Sequence, residues 1–211
     1  MRKNVVLLGP PGAGKGTLAQ RLAAELNLVH LSTGDVLREE VAQGRHLGRR
    51  AKSYMDRGEL VPDELVLAMV RQRVDAGAGM LFDGFPRTRA QAEGLDEFAP
   101  VDLVLLLEID QDEVVRRLSA RRVCPRCGAV YNLITQPPQD PGRCDRCGEQ
   151  LVQREDDTPE VIARRFAVYE EESAPLVEHY ARQGILVRVD AGRSPEEVYA
   201  DALDHLRDDR P

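Results

Sequence analysis

Along most of its 211 residues the chain alternates short aliphatic runs with amphipathic helical segments, and this alternation predicts an α/β fold built on a parallel sheet. Two details sharpen the prediction. Asp102 to Ile109 is nearly continuous aliphatic sequence, as a central strand covered on both faces requires. The first apolar run, Asn4 to Leu8, leads directly into a glycine-rich turn and then a helix, an order that suits a phosphate-binding turn.

Period and punctuation mark out the elements. Leu18, Leu22 and Leu26 form one stripe, four residues apart, and indicate a helix from about Lys15 to Leu26. Leu28 to Leu31 reads as the second strand, and Ser32-Thr33-Gly34-Asp35 is a helix-start signal for the next segment. Short helices are expected over 35–43 and 47–57. Beyond the turn at Val61-Pro62-Asp63, apolar residues at 66, 69, 70 and 74 predict a core-facing helix from Asp63 to Val74. Met80 to Asp83 is the next strand and ends at Gly84-Phe85-Pro86. After the strand at 102–109, a helix is expected from Gln111 to Arg121. Residues from about 122 to 157 hold every cysteine and break the alternation, so an inserted module belongs there. Thr158 as a cap and Pro159 at the first helical position then open a long helix, with an interruption near Ser173-Ala174-Pro175. Ile185 to Val189 is the last strand, and Ser194-Pro195-Glu196-Glu197 repeats the cap logic before a closing helix.

Composition narrows the function. With 42% hydrophobic and 31% charged residues, the chain fits one folded unit or two closely associated ones. The apolar runs Val5 to Leu8 and Val104 to Leu107 fall far short of the ~20 residues of a membrane helix. Met1 to Leu8 resembles a signal peptide for a few residues, but no apolar h-region develops, so a cytoplasmic location is expected. A net charge of −7 argues against a duplex nucleic-acid binder, whose affinity comes from Lys and Arg neutralising phosphates. Aromatics are only 4%, without Trp, which leaves few platforms for stacking single strands. A phosphorylated small molecule remains compatible with that charge if arginines gather in one pocket.

Gly9-Pro10-Pro11-Gly12-Ala13-Gly14-Lys15 lies between the first strand and the first helix. Glycines let backbone N–H groups turn inward around phosphate oxygens, the helix N-terminus adds partial positive charge, and Lys15 adds a full one. Gly16 stands where the generic loop has Ser or Thr, and Thr17 comes one place later.

That loop, the run Leu31-Ser32-Thr33-Gly34-Asp35-Val36-Leu37-Arg38 and the run Phe82-Asp83-Gly84-Phe85-Pro86-Arg87-Thr88 together resemble the adenylate kinase family. The resemblance covers essentially the whole chain, and Cys124 to Asp157 is similar to the long zinc-bearing lid of many bacterial members. It implies a P-loop NTPase-like, five-stranded parallel sheet flanked by helices, with a core of residues 1–31, 62–120 and 158–211. Residues 32–61 are then an AMP-binding helical insert and residues 121–157 the lid. The implied reaction is reversible, Mg²⁺-dependent transfer of the γ-phosphoryl group of ATP to AMP, giving two ADP, by a monomer that engages neither nucleic acid nor membrane.

The resemblance also implies residue roles. The catalytic set is Lys15, Arg87, Arg121, Arg154 and Arg165, positive groups that face the transferring phosphoryl. Gly12, Ala13, Gly14, Lys15, Gly16 and Thr17 hold the ATP phosphates with Arg121, while Val130, Tyr131 and Arg193 surround its base. Arg38 and Arg87 hold the AMP phosphate, and Thr33, Glu59, Leu60, Val61, Gly84, Phe85, Pro86 and Gln91 line its base and sugar, with Arg154 and Arg165 reaching the phosphates. Gln91 carries a donor and an acceptor that match an adenine edge. Thr33 favours AMP, since related kinases of UMP and CMP usually have Ala there. Asp83 resembles the carboxylate that anchors Mg²⁺, with a structural cap on the turn as the alternative. Asp35 either caps the adjoining helix or helps order the magnesium shell.

Cys124-x-x-Cys127 and Cys144-x-x-Cys147, sixteen residues apart, have the spacing of a four-thiolate zinc site. Four soft ligands close a tetrahedral Zn²⁺ and leave no open position, so the metal is structural. Disulfides are the alternative, disfavoured where thiols stay reduced. His30, His46, His179 and His205 show no ligand spacing. Two rival functions remain: a kinase for another nucleoside monophosphate, and an ATPase whose zinc ribbon binds nucleic acid.

Overall fold

Five strands form one parallel sheet in a computed structural model that describes residues 3–75 and 77–207. They are β1 (Val5–Leu8), β2 (Val29–Ser32), β3 (Met80–Asp83), β4 (Leu103–Glu108) and, after two strands that lie elsewhere, β7 (Leu186–Asp190). Their order is β2-β3-β1-β4-β7, every neighbouring pair is parallel, and Leu7 stands opposite both Asp83 and Leu105. The other two strands, β5 (Arg121–Val123) and β6 (Val130–Asn132), make a separate antiparallel hairpin inside the cysteine-bearing module.

Both faces of the sheet are covered, which is why its central strands are aliphatic at consecutive positions. Along β1, Val5 and Leu7 pack with α1 (Lys15–Leu26) and α9 (Pro195–Arg207) through Leu18, Leu22, Ala202 and Leu203. Val6 and Leu8 point the other way, into a core shared with α4 (Asp63–Arg71), α5 (Arg89–Asp96) and α8 (Pro175–Arg182) through Met69, Leu95 and Tyr180. The remaining helices are α2 (Thr33–Ala42), α3 (His46–Asp56), α6 (Gln111–Ser119) and α7 (Pro159–Val168), and a π-helical turn at Tyr169–Ser173 joins α7 to α8. Among the described residues no helix is long and apolar enough to cross a membrane.

The chain leaves β1 between β3 on one side and β4 on the other, so a crevice opens beyond the carboxyl ends of these strands. The glycine loop after Leu8, Ser32 at the end of β2 and Asp83 at the end of β3 all meet there.

In four details the fold departs from the sequence pattern. Helix α2 starts at Thr33, with the Ser32 hydroxyl accepting from the Asp35 N–H at 3.4 Å, so Ser32 is the cap and Asp35 lies in the first turn. Helix α4 stops at Arg71, and Val74 reaches the core from the turn beyond it. Helix α5 has no counterpart in the periodicity; Thr88 caps it by accepting from the Gln91 N–H at 3.1 Å. Helix α6 ends at Ser119, which makes Arg121 the first residue of β5.

The pair α2 and α3 is held very close. A Cβ on Gly48 would lie 2.1 Å from the Glu40 carbonyl oxygen and 2.4 Å from the Val41 nitrogen. Backbone cannot yield there as a side chain would, so Gly48→Ala is expected to cost about 1–3 kcal/mol, the range for overpacking a tight contact. Urea unfolding should show a lower midpoint at an unchanged slope.

Candidate phosphate site and metal centre

Lys15 begins α1 directly after the glycine loop. Its ammonium curls back over that loop and donates to the carbonyls of Gly9 at 2.7 Å and Pro10 at 2.8 Å. Enclosure in the crevice pushes it down to about 7; Asp83 opposes this, and the positive charges of Arg87, Arg165 and Arg121 reinforce it. Gly16 stands beside the Asp83 carboxylate, since a Cβ there would be 3.3 Å from Asp83 Oδ2.

The crevice is a cavity of about 600 Å³, and Lys15, Arg38, Arg87, Arg121, Arg154 and Arg165 all line it. They come from α1, α2, the loop after β3, β5, the module's exit and α7. Burial, reinforced by neighbouring positive charge, weakens the hold of Arg87 and Arg154 on their protons. Enclosure and the neighbouring Arg165 push Arg87 down to about 10, and enclosure with Arg121 and Arg38 does the same to Arg154. Such a ring favours a polyanion at its centre.

Two carboxylates hold this ring in place. The Asp157 side chain is fully buried and accepts from Arg121 Nε at 2.7 Å and Nη2 at 2.5 Å, and from Arg165 Nη1 at 3.2 Å. Asp156 Oδ2 lies 3.1 Å from Arg165 Nη1. Burial raises the Asp156 carboxyl, but Arg165, Arg121, Arg38 and Arg154 outweigh it and keep the group ionised. Neither residue stands out in the sequence as functional. The available signal is two adjacent acids placed between Arg154 and the Thr158 cap.

Beside the large cavity is a smaller one, lined by Thr33, Glu59, Leu60, Val61, Gly84 and Gln91, with Arg38 and Arg87 on the wall between them. Thr33 Oγ1 donates to the Gly84 carbonyl at 2.8 Å, and Arg87 Nε donates to the same oxygen at 2.7 Å. Gln91 is almost fully buried; its Nε2 donates to Asp63 Oδ1 at 2.7 Å and its Oε1 accepts from the Arg87 N–H at 2.8 Å. Arg38 is paired with Asp35. Pro86 lines the large cavity, whereas Phe85 is buried in the core against Phe82 and lines neither space.

Gly12, Ala13, Gly14, Gly16 and Thr17 line the large cavity at the loop, and Val130, Tyr131 and Arg193 line it as well. The Arg193 guanidinium is bonded to Asp201, on α9. Asp83 also lines the cavity, mostly buried, with Oδ2 3.7 Å from His30 Nε2. A hard carboxylate oxygen beside the phosphate loop is the donor type that Mg²⁺ takes.

The four cysteines converge. Sγ atoms of Cys124, Cys127, Cys144 and Cys147 all lie within 4.8 Å of one another. Two matching turns bring them there: the Gly128 N–H bonds the Cys124 carbonyl at 3.0 Å and the Gly148 N–H bonds the Cys144 carbonyl at 2.8 Å. Both glycines have φ +72°, a left-handed conformation that a side chain would strain. Tetrahedral zinc with bonds of about 2.3 Å needs sulfurs about 3.8 Å apart, so the cluster fits that ion. The Tyr131 hydroxyl, 3.5 Å from Cys144 Sγ, helps draw that thiol down to about 6. At Cys147 the Glu149 backbone favours the thiolate, but burial and the other three sulfurs push the group up to about 12. Four thiolates this close need a cation among them.

Outside the cluster, only Ala129, Tyr131 and Leu151 form the module's buried apolar core. Stripping metal with a chelator is therefore expected to lower the melting temperature and to speed amide exchange across 121–157 before it does so in the sheet. Both changes should reverse when zinc is restored, and metal content measured alongside checks the cause.

Comparison with known proteins identifies the family. The family profile described as adenylate kinase matches residues 7–185. An adenylate kinase from Salinispora tropica is 52% identical over 211 aligned residues, covering 96% of this chain and 97% of the relative. One from Archaeoglobus fulgidus is 47% identical, covering 93% and 94%, and one from Thermoanaerobacter sp. is 46% identical, covering 97% and 98%. With its phosphate loop, its ring of cations and these relatives matched along nearly their whole length, the chain belongs to the adenylate kinase family.

Proposed function

We propose that this chain catalyses reversible phosphoryl transfer from ATP to AMP, forming two ADP, with the large cation-lined cavity as the place of transfer. The observation that carries the reading is the joining of that cavity to a second, smaller one through Arg38 and Arg87. Two nucleotides entering from opposite sides bring their phosphates together at the cations.

ATP phosphates lie on the amides of Gly12 to Thr17 and on Lys15, whose ammonium leaves the Gly9 and Pro10 carbonyls to meet them. The base lies toward Val130 and Tyr131, with Arg193 near its far side. AMP occupies the smaller cavity, its phosphate between Arg38 and Arg87 and its base near Thr33, the 59–61 backbone and Gln91. Arg121, Arg154 and Arg165 face the phosphoryl in flight. Planar guanidinium forks suit its equatorial oxygens, and their charge persists at working pH. Asp83 would hold the Mg²⁺ that accompanies ATP, and the ion would supply charge neutralisation at the phosphates.

Residues 32–61 form the AMP-binding insert and 121–157 the lid, with the rest as core. The lid's four-thiolate centre holds zinc, and the cluster's need for reduced thiols suits a cytoplasmic enzyme. The reading takes the enzyme as a monomer, and both nucleotide cavities are formed within one chain, as a monomer requires. Closure swings Arg121 and Arg154 onto the phosphates and excludes the water that would hydrolyse ATP.

A coupled assay of ADP formation should show turnover with ATP plus AMP, dependence on Mg²⁺ and much weaker turnover with GMP, UMP or CMP. No ADP from ATP plus AMP would overturn the reading. Asp157→Asn keeps the shape but removes the charge that holds two arginines, and kcat is expected to fall by tenfold or more while the folded state persists.

Binding should also move protons. In the empty site Lys15 sits near 7, so at pH 8 it is mostly neutral. A bound polyphosphate favours the ammonium, so complex formation takes up protons at pH 8 and affinity weakens as pH rises through that range. Calorimetry in buffers of different ionisation heat should record the uptake, and Lys15→Arg should remove most of it.

A further inference from the structure

The segment that leaves the lid contains one irregularity, and it faces the site. Ala174 N–H bonds the Tyr169 carbonyl, five residues back, at 2.8 Å, closing the π-turn that ends at Ser173. Pro175 comes next, and it has no N–H to offer the carbonyl four residues back. The wider turn changes which side chain points inward. Val168, Ser173, Leu176 and Tyr180 are buried, a spacing of five, three and four, while Glu172 is exposed. An uninterrupted α-helix would carry position 172 into the place that Ser173 takes.

Ser173 uses that place for one contact. Its hydroxyl donates to the main-chain carbonyl of Arg87 at 2.9 Å, across 86 residues of sequence. Arg87 is already tethered at its N–H by Gln91 Oε1 and along its side chain by the Gly84 carbonyl. The serine completes the hold by fixing the other end of the same residue. The same stretch of chain carries Arg165 on α7, two turns earlier.

We propose that Ser173 is a positioning residue for phosphoryl transfer: held inward by the π-turn, it fixes the main chain of Arg87 and so sets its spacing from Arg165. The inference rests on Arg87 as a ligand of the AMP phosphate. Ser173 lines the large cavity, but its hydroxyl is committed to the Arg87 carbonyl. It acts by keeping Arg87 in the one orientation that meets AMP, so its loss weakens AMP more than ATP.

Ser173→Ala and Ser173→Thr, compared by steady-state kinetics with each nucleotide varied in turn, test this. For Ser173→Ala the expected result is a rise of about fivefold in KM for AMP, or an equal fall in kcat/KM for AMP. That is about 1 kcal/mol, the weight of one neutral hydrogen bond. KM for ATP should stay within twofold, and Ser173→Thr, which keeps the hydroxyl, should restore most of the loss. In an Arg87→Ala background the Ser173→Ala effect should vanish. Equal losses for AMP and ATP, together with a lowered melting temperature, would mean that the serine merely stabilises the fold and would overturn the proposal. So would unchanged AMP kinetics in Ser173→Ala while Arg87→Ala is impaired. An unimpaired Arg87→Ala would instead remove the reading of Arg87 on which the proposal stands.

Discussion

Mutual repulsion among cations is the constraint that shapes this molecule. Lys15, Arg38, Arg87, Arg121, Arg154 and Arg165 are among the positive groups that face one cavity, and each raises the cost of the others. Asp156, Asp157, Asp83 and Asp35 offset part of that cost without quenching the field. The balance matters chemically. Fully neutralised arginines would have little to give a phosphate, whereas uncompensated ones would disperse toward solvent. Asp157 shows the solution most clearly, since its buried carboxylate grips Arg121 and Arg165 at once and leaves the rest of each guanidinium facing the cavity. A buried pair of this kind contributes little net stability, but removing one partner strands the other.

The sheet supplies the fixed frame on which those charges are arranged. Asp83 and the glycine loop stand at the ends of neighbouring strands β3 and β1, so their separation is set by strand register rather than by any side chain. Thr33 and Arg87 then tie the starts of two further segments to one atom, the Gly84 carbonyl. Positions held by backbone in this way are rigid, whereas Arg121 and Arg154 are carried outside the sheet, on β5 and the module's exit.

Legibility in the sequence tracks how local each feature is. The phosphate loop, the two Cys-x-x-Cys turns and the aliphatic strands are legible because each has a spacing fixed by backbone geometry. Helix α5 is not, since its run Arg89 to Asp96 has Leu95 as its single large apolar residue and Gly94 within it. Its stability comes from Thr88 as a cap and from packing on α4, where Gly94 leaves room for Leu67. Asp156 and Asp157 do not stand out because acids beside a helix start are ordinary caps, and only the folded chain shows which arginines they face. Phe85 illustrates the converse. It lies within the same run as Gly84, Pro86 and Arg87, which line the cavities, yet its own side chain is core and anchors them.

The lid joins these themes. Arg121 opens the module and Asp157 closes it, so the bidentate pair between them ties the two ends of the insertion together at its root. The cysteine cluster does the same farther out, binding the turn at 124–127 to the turn at 144–147. A segment pinned at root and tip has few internal motions left, because each closure removes conformational freedom from the loop it encloses. The root pin also reaches Arg165 on α7, so it ties the module to the core helix as well as to itself. Since the root pin includes Arg121 itself, the contact that closes the module at its root also fixes one of the charges that line the cavity.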